Sequence, residues 1–89
     1  MKQIIYSRQA FRDLRSIPNR TAQQIRAKLE LYAEHPEAMA NNVKAMQGQR
    51  FRGLLRLRVG EWRVMFTESG EVIAIQRVGR RSEIYRIYR

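Results

Sequence analysis

The chain has no cysteine, two prolines, five glycines and one histidine in 89 residues. Without cysteine it has no disulfide and no thiolate metal site, which suits a reducing cytoplasm. His35 by itself cannot build a metal cluster. Carboxylates are scarce, 8 against 18 basic side chains, and none are spaced like the ligands of a two-metal nuclease. There is no Gly-rich phosphate loop. Ser7, Ser16, Ser69 and Ser82 have no histidine partner in a recognisable nucleophile pattern. No apolar run reaches the length of a membrane span, and the run in the opening MKQIIYSRQAF is too short for a signal peptide. No metal, cofactor or membrane is therefore expected.

What is present is arginine. The formal net charge is +10, and 44% of the residues are apolar, enough for one small core. Residues 1–89 are expected to form one domain. Charge is uneven: residues 1–49 carry 8 basic and 4 acidic groups, residues 50–89 carry 10 and 4. A field of this sign attracts polyanions such as nucleic acid or an acidic protein. All ten basic residues of the second stretch are arginine. Each offers phosphate a permanently charged, planar fork of donors.

The pattern predicts a strand over 2–6, then a helix over 8–15 with Ser7 as its N-cap and Ala10, Phe11 and Leu14 at helical spacing. A second helix over 18–34 carries Ala22, Ile25, Leu29 and Tyr32 at steps of three and four. Pro18 fits its first turn, and His35-Pro36 ends it. The short link makes the two helices a hairpin. Residues 37–42 read as a loop or one more helical turn, and 43–46 as a short extended piece. An antiparallel meander follows, with strands over 51–58, 62–68 and 71–78, turning at Gly60 and Ser69-Gly70. Leu55, Leu57 and Val59 share one face of the first of these, and Leu54, Arg56 and Arg58 the other. In the next, Trp62, Val64 and Phe66 oppose Arg63, Met65 and Thr67. One face can pack on helices while the other presents arginines. Residues 79–89 form a basic tail.

This inventory permits one metal-free chemistry on RNA. A ribose 2′-hydroxyl can attack its own 3′ phosphate, leaving a cyclic phosphate and a free 5′-hydroxyl. The protein need only orient the strand, stabilise the extra negative charge and move protons. Arginines suit the charge. They are poor proton movers, because their pKa exceeds about 12. Tyr85 is the candidate mover, since neighbouring guanidinium charges favour its phenolate.

The segments LRVGEWRVMF and VGRRSEIYR, in this order after a strand and an α-hairpin, resemble the RelE branch of the RelE/ParE toxin superfamily. The resemblance runs over nearly the whole chain. It implies an α+β fold in which an N-terminal strand and α-hairpin pack on a twisted antiparallel sheet of four strands. It implies a toxin of a type II toxin–antitoxin pair that cuts mRNA in the ribosomal decoding site. The implied partners are a small acidic antitoxin, mRNA, and the 70S ribosome with its rRNA. Carried over by position, the implied catalytic set is Arg56, Arg63, Arg80 or Arg81, and Tyr85. Arg52, Arg58, Arg77 and Arg86 are expected to add phosphate contacts. Leu54 departs from the pattern, which has a second basic residue there.

Plainer readings stand beside these. Arg56 and Arg58 could be a solvated sheet face, Arg80 and Arg81 a basic turn, and Tyr85 a ring packed on the core. Glu83 reads better as an ion-pair partner than as an acid catalyst. Trp62 and Phe66 read better as core than as base-stacking platforms, and His35 as a residue at a helix C-terminus. A ParE-like toxin that poisons DNA gyrase by protein contact, and an inert nucleic-acid-binding module, are the rival functions.

Overall fold

Ser7 ends the first strand and starts the first helix with the same side chain. Its hydroxyl accepts a hydrogen bond from the Ala10 amide at 3.0 Å and donates to the Gln76 carbonyl at 2.8 Å. One residue thus caps a helix and ties it to a strand far along the chain. The computed structural model describes residues 1–88; Arg89 of the basic tail lies outside the described residues.

In chain order the elements are β1 (Gln3–Tyr6), α1 (Arg8–Arg15), α2 (Asn19–Glu34), a 3-10 turn (Pro36–Asn42), β2 (Val43–Ala45), a second 3-10 turn (Gln49–Phe51), β3 (Leu55–Val59), β4 (Trp62–Glu68), β5 (Val72–Arg80) and α3 (Arg81–Ile87). The sheet order is β1-β5-β4-β3-β2. The fold is α+β, and the α-hairpin packs on a sheet face as the periodicities predict. Pro18 stands at the N-cap of α2, one residue outside the helix.

Three features differ from the expected architecture. The sheet has five strands, and β1 runs parallel to β5, with Ile4 opposite Ile73 and Tyr6 opposite Ile75. Only β2 to β5 form the antiparallel part. A parallel pair needs a long crossover, which no local turn signal announces. Second, the strand expected over 51–58 begins at Leu55. Gly53 has φ +79°, a left-handed conformation incompatible with an extended strand. Third, the basic tail, to which the pattern assigned no element, forms a helix over Arg81–Ile87.

The main core lies between the α-hairpin and one sheet face. Ala10, Leu14, Ile25, Leu29 and Tyr32 meet Leu57, Val64, Phe66, Ile73, Ile75 and Val78. Phe66, Ile25 and Leu29 are fully buried, and each such side chain contributes roughly 2–3 kcal/mol of burial. The Tyr32 ring meets Phe66 edge-on, with centroids 5.4 Å apart. Its hydroxyl donates to Glu68, which Lys2 also reaches, so the residue before β1, helix α2 and strand β4 share one polar clasp. Burial alone would raise the Glu68 pKa, but the bonds from Lys2 and Tyr32 together hold it below the usual carboxylate range. Trp62 packs at the margin of this core, as expected of a core residue.

Asp13 of α1 secures the far end of β5. Its carboxylate accepts from Arg77 Nε at 2.9 Å, Arg77 Nη2 at 3.2 Å and the Val78 amide at 2.9 Å. Both side chains are largely shielded, so truncation strands a cation and an amide together. Asp13→Ala is expected to cost about 2–3 kcal/mol, read as a lowered midpoint in urea unfolding. A midpoint within error of wild type would show that this clasp adds nothing net.

Candidate active site

Helix α3 decides where the cations gather, and one glycine lets it fold back. Gly79 lies opposite Arg63 across β4 and β5. A Cβ there would sit 3.2 Å from Ile84 Cγ1, tighter than ordinary packing. With no side chain in the way, α3 settles on the sheet face away from the α-hairpin. Ile84 enters a second small core with Leu54 and Met65, and Tyr88 meets Phe51 edge-on at 6.3 Å. The Arg81 amide donates to the Glu61 carbonyl at 2.9 Å, tying the helix start to the β3–β4 turn.

That docking brings Tyr85 to the arginines of the sheet. Arg56 Nη1 donates to the Tyr85 hydroxyl oxygen, at a long 3.4 Å. The hydrogen bond from Arg56 draws the Tyr85 pKa below its ordinary value against the opposing effect of partial burial. The charges of Arg56, Arg63 and Arg81 act in the same direction. The phenol remains 40% exposed, so it faces solvent on an open surface.

Arg63 is the one charged residue among the described residues that is classed with the core, at 8% exposure. Its Nη1 is held by two backbone carbonyls, Gly60 at 2.8 Å and Trp62 at 3.0 Å. Burial lowers its pKa first, then repulsion from Arg56, Arg81 and Arg58, with Tyr85 opposing. The Nε atoms of Arg56 and Arg63 are both buried without a hydrogen-bond partner. Among the described residues no carboxylate pairs with Arg56, Arg58, Arg63 or Arg81. Like charges packed together, with uncommitted donors, leave a place for an anion.

The expected site residues therefore divide. Arg56, Arg63, Arg81 and Tyr85 converge, and exposed Arg58 lies beside Arg63 and adds to its field. Arg80 turns the other way: its guanidinium lies 5.1 Å from the Trp62 ring centroid, on the main-core side. Consecutive residues at the end of a strand point to opposite faces, which separates Arg80 from Arg81. Arg77 is held by Asp13 on α1. Arg52 is exposed beside a groove it shares with Leu54 and Tyr88, and Arg86 is exposed on α3. Glu83 is exposed in the first turn of α3. His35 stands 3.5 Å from Glu37 at the end of α2, far in sequence from the cluster. Among the described residues no three His, Cys, Asp or Glu side chains are grouped as metal ligands, and no helix is long and apolar enough to cross a membrane.

The sequence pattern had not singled out Gly79 or Ile84. The spacing of Ile84 and Tyr88, four residues apart, was the available signal for a helix in the tail.

The five-stranded α+β fold has structural counterparts among small toxins. The chain superimposes on YafQ from E. coli strain BL21(DE3) with a TM-score of 0.72 at 14% identity, covering 96% of this chain and 99% of that one. A chain of the RelB–RelE antitoxin–toxin complex from Methanococcus jannaschii gives 0.71 at 21% identity, with 91% and 94% covered. A chain of the E. coli DinJ–YafQ toxin–antitoxin complex gives 0.74 at 16% identity, with 94% and 97% covered. These likenesses establish the fold as that of the RelE and YafQ toxins. The model of the ParE toxin of type II toxin–antitoxin systems matches residues 4–85, so the chain belongs to that toxin family. No curated protein sequence matches it significantly.

Proposed function

We propose that the protein is a metal-independent endoribonuclease that cleaves mRNA held in the decoding site of the ribosome and thereby stops translation. The observation that carries this reading is the convergence of Arg56, Arg63 and Arg81 on the Tyr85 hydroxyl, with two buried Nε donors left unpaired. A scissile phosphate lodged against Arg56 and Arg63 supplies the anion that those donors lack. Tyr85, as phenolate, takes the proton of the ribose 2′-hydroxyl. The 2′ oxygen bonds to phosphorus while the bond to the 5′ oxygen breaks, and the departing oxygen takes a proton from water. The products are a 2′,3′-cyclic phosphate and a 5′-hydroxyl. Preorganised guanidinium groups stabilise the charge that grows on the phosphate in between.

The open surface suits a long strand presented by another body better than a small molecule in a cleft. Ribosomal RNA and message both match a chain of net charge +10. The same charge suits a small acidic antitoxin laid over the cluster. The solved DinJ–YafQ and RelB–RelE complexes pair toxins of this fold with antitoxins.

The family match itself keeps a second reading in play, a toxin that poisons DNA gyrase by protein contact. Brief induction in growing cells separates the two. The nuclease reading expects mRNA cuts within translated frames that vanish when initiation is blocked. Intact transcripts accompanied by DNA-damage signalling would overturn it and favour the gyrase reading.

A further inference from the structure

Position 54 carries leucine where the resemblance leads one to expect a second cation, and the fold uses that leucine. Leu54 is 6% exposed and forms the second core with Met65 and Ile84, both fully buried. It sits two residues before Arg56 on the same side of the chain, as Ile84 sits immediately before Tyr85. Two adjacent pairs thus meet: Ile84 rests on Leu54, and the Tyr85 hydroxyl meets Arg56. α3 is only seven residues long, and its N-cap residue makes no side-chain capping bond. A helix this short has little stability of its own. Its position rests on the Ile84 contact, the Gly79 approach, the Arg81 amide bond and the Tyr88–Phe51 edge contact.

We propose that Leu54 is a positioning residue for Tyr85: with Met65 it forms the apolar seat that fixes α3 and so holds the Tyr85 hydroxyl against Arg56. Where the resemblance expects a second basic residue, the chain has an apolar contact for α3. A cation at position 54 would have to be desolvated beneath Ile84, two residues from Arg56, and would drive the helix off its seat. The inference rests on the nuclease reading only for its effect on rate; the placement of the phenol is separately measurable.

Phenolate formation, followed by near-ultraviolet absorbance against pH, reads that placement directly. The chain has four tyrosines. Tyr6, Tyr32 and Tyr88 are all raised, with burial as the first cause, whereas Tyr85 is lowered, so its ionisation is expected to come first. Tyr85→Phe assigns it by removing that step. In Leu54→Ala the first ionisation is expected to move up toward the ordinary value of about 10. Cleavage of ribosome-bound message at saturating toxin should fall about a hundredfold, as small misplacements of a catalytic group do, with little change in the concentration needed for half-saturation. Leu54→Met, similar in volume, should restore both. If Leu54→Ala does not fold by circular dichroism, Leu54→Val is measured in the same way. An unchanged first ionisation in the folded variant would overturn the assignment, whatever happens to the rate. If wild type shows the early ionisation but cuts no message, the nuclease reading fails and the seat stands.

Discussion

Tyr85→Phe is expected to slow mRNA cleavage by about 10²–10⁴-fold, the usual worth of a general base. Its stability should stay within about 0.5 kcal/mol of wild type, because the residue is 40% exposed and only its hydroxyl is removed. Loss of rate without loss of fold is the signature of chemistry at that oxygen. The pH dependence follows from the direction of the shift. The base must be ionised, so the rate should climb with pH and level off above the Tyr85 pKa. The guanidinium groups lower that pKa, and the rise should therefore end below the ordinary tyrosine value of about 10. Arg56→Ala removes the hydrogen bond that contributes most to the lowering and should push the plateau to higher pH. Single-turnover cleavage of ribosome-bound message measures both effects. Wild-type rates from Tyr85→Phe would end the role assigned to the phenol.

Arg63→Met should destroy activity and stabilise the fold. On the catalytic side, removing one preorganised donor to a developing oxyanion costs about 10²–10³-fold. On the stability side, Arg63 is a desolvated cation repelled by Arg56, Arg81 and Arg58, and its Nε has no partner. Its two bonds to the Gly60 and Trp62 carbonyls offset part of that cost. Replacing a buried charge by an apolar chain of similar volume is often stabilising. The expected gain is about 1 kcal/mol, or a melting temperature about 4–8 °C higher for a domain of this size. Arg56→Ala lacks the second half of this pattern, because Arg56 is less buried. A clear drop in the melting temperature of Arg63→Met would show that the carbonyl bonds outweigh the repulsion, and that the cluster is not under electrostatic strain. Strain held at a functional site can be relieved by the ligand that the site binds.

The α-hairpin was legible because its signals are local. Ser7 caps, Pro18 starts and His35-Pro36 stops, and the apolar spacing between them allows one face to be buried. The hairpin at Ser69-Gly70 and the alternation in β4 were equally plain. The parallel pairing of β1 with β5 was not, since nothing between residues 3 and 72 refers to it locally. Helix α3 was hidden by composition: arginines crowd its sequence, and only Ile84 and Tyr88 carry the helical spacing. Met65 and Leu54, placed by alternation on the arginine side of the sheet, are apolar because α3 covers them.

Taken alone, the order of residues determines that this is a small α+β protein of high positive charge, without cysteine chemistry or a histidine cluster, and that arginines fall on one side of its strands. Those properties follow from local spacing and from side-chain chemistry, which need no fold to act. Tertiary structure alone decided which cations meet. Arg80 and Arg81 are neighbours in the chain, yet one stacks on Trp62 and the other faces Tyr85. The reason is geometric: adjacent residues diverge at a strand end, and a short helix pressed against Gly79 returns the phenol across the sheet to Arg56.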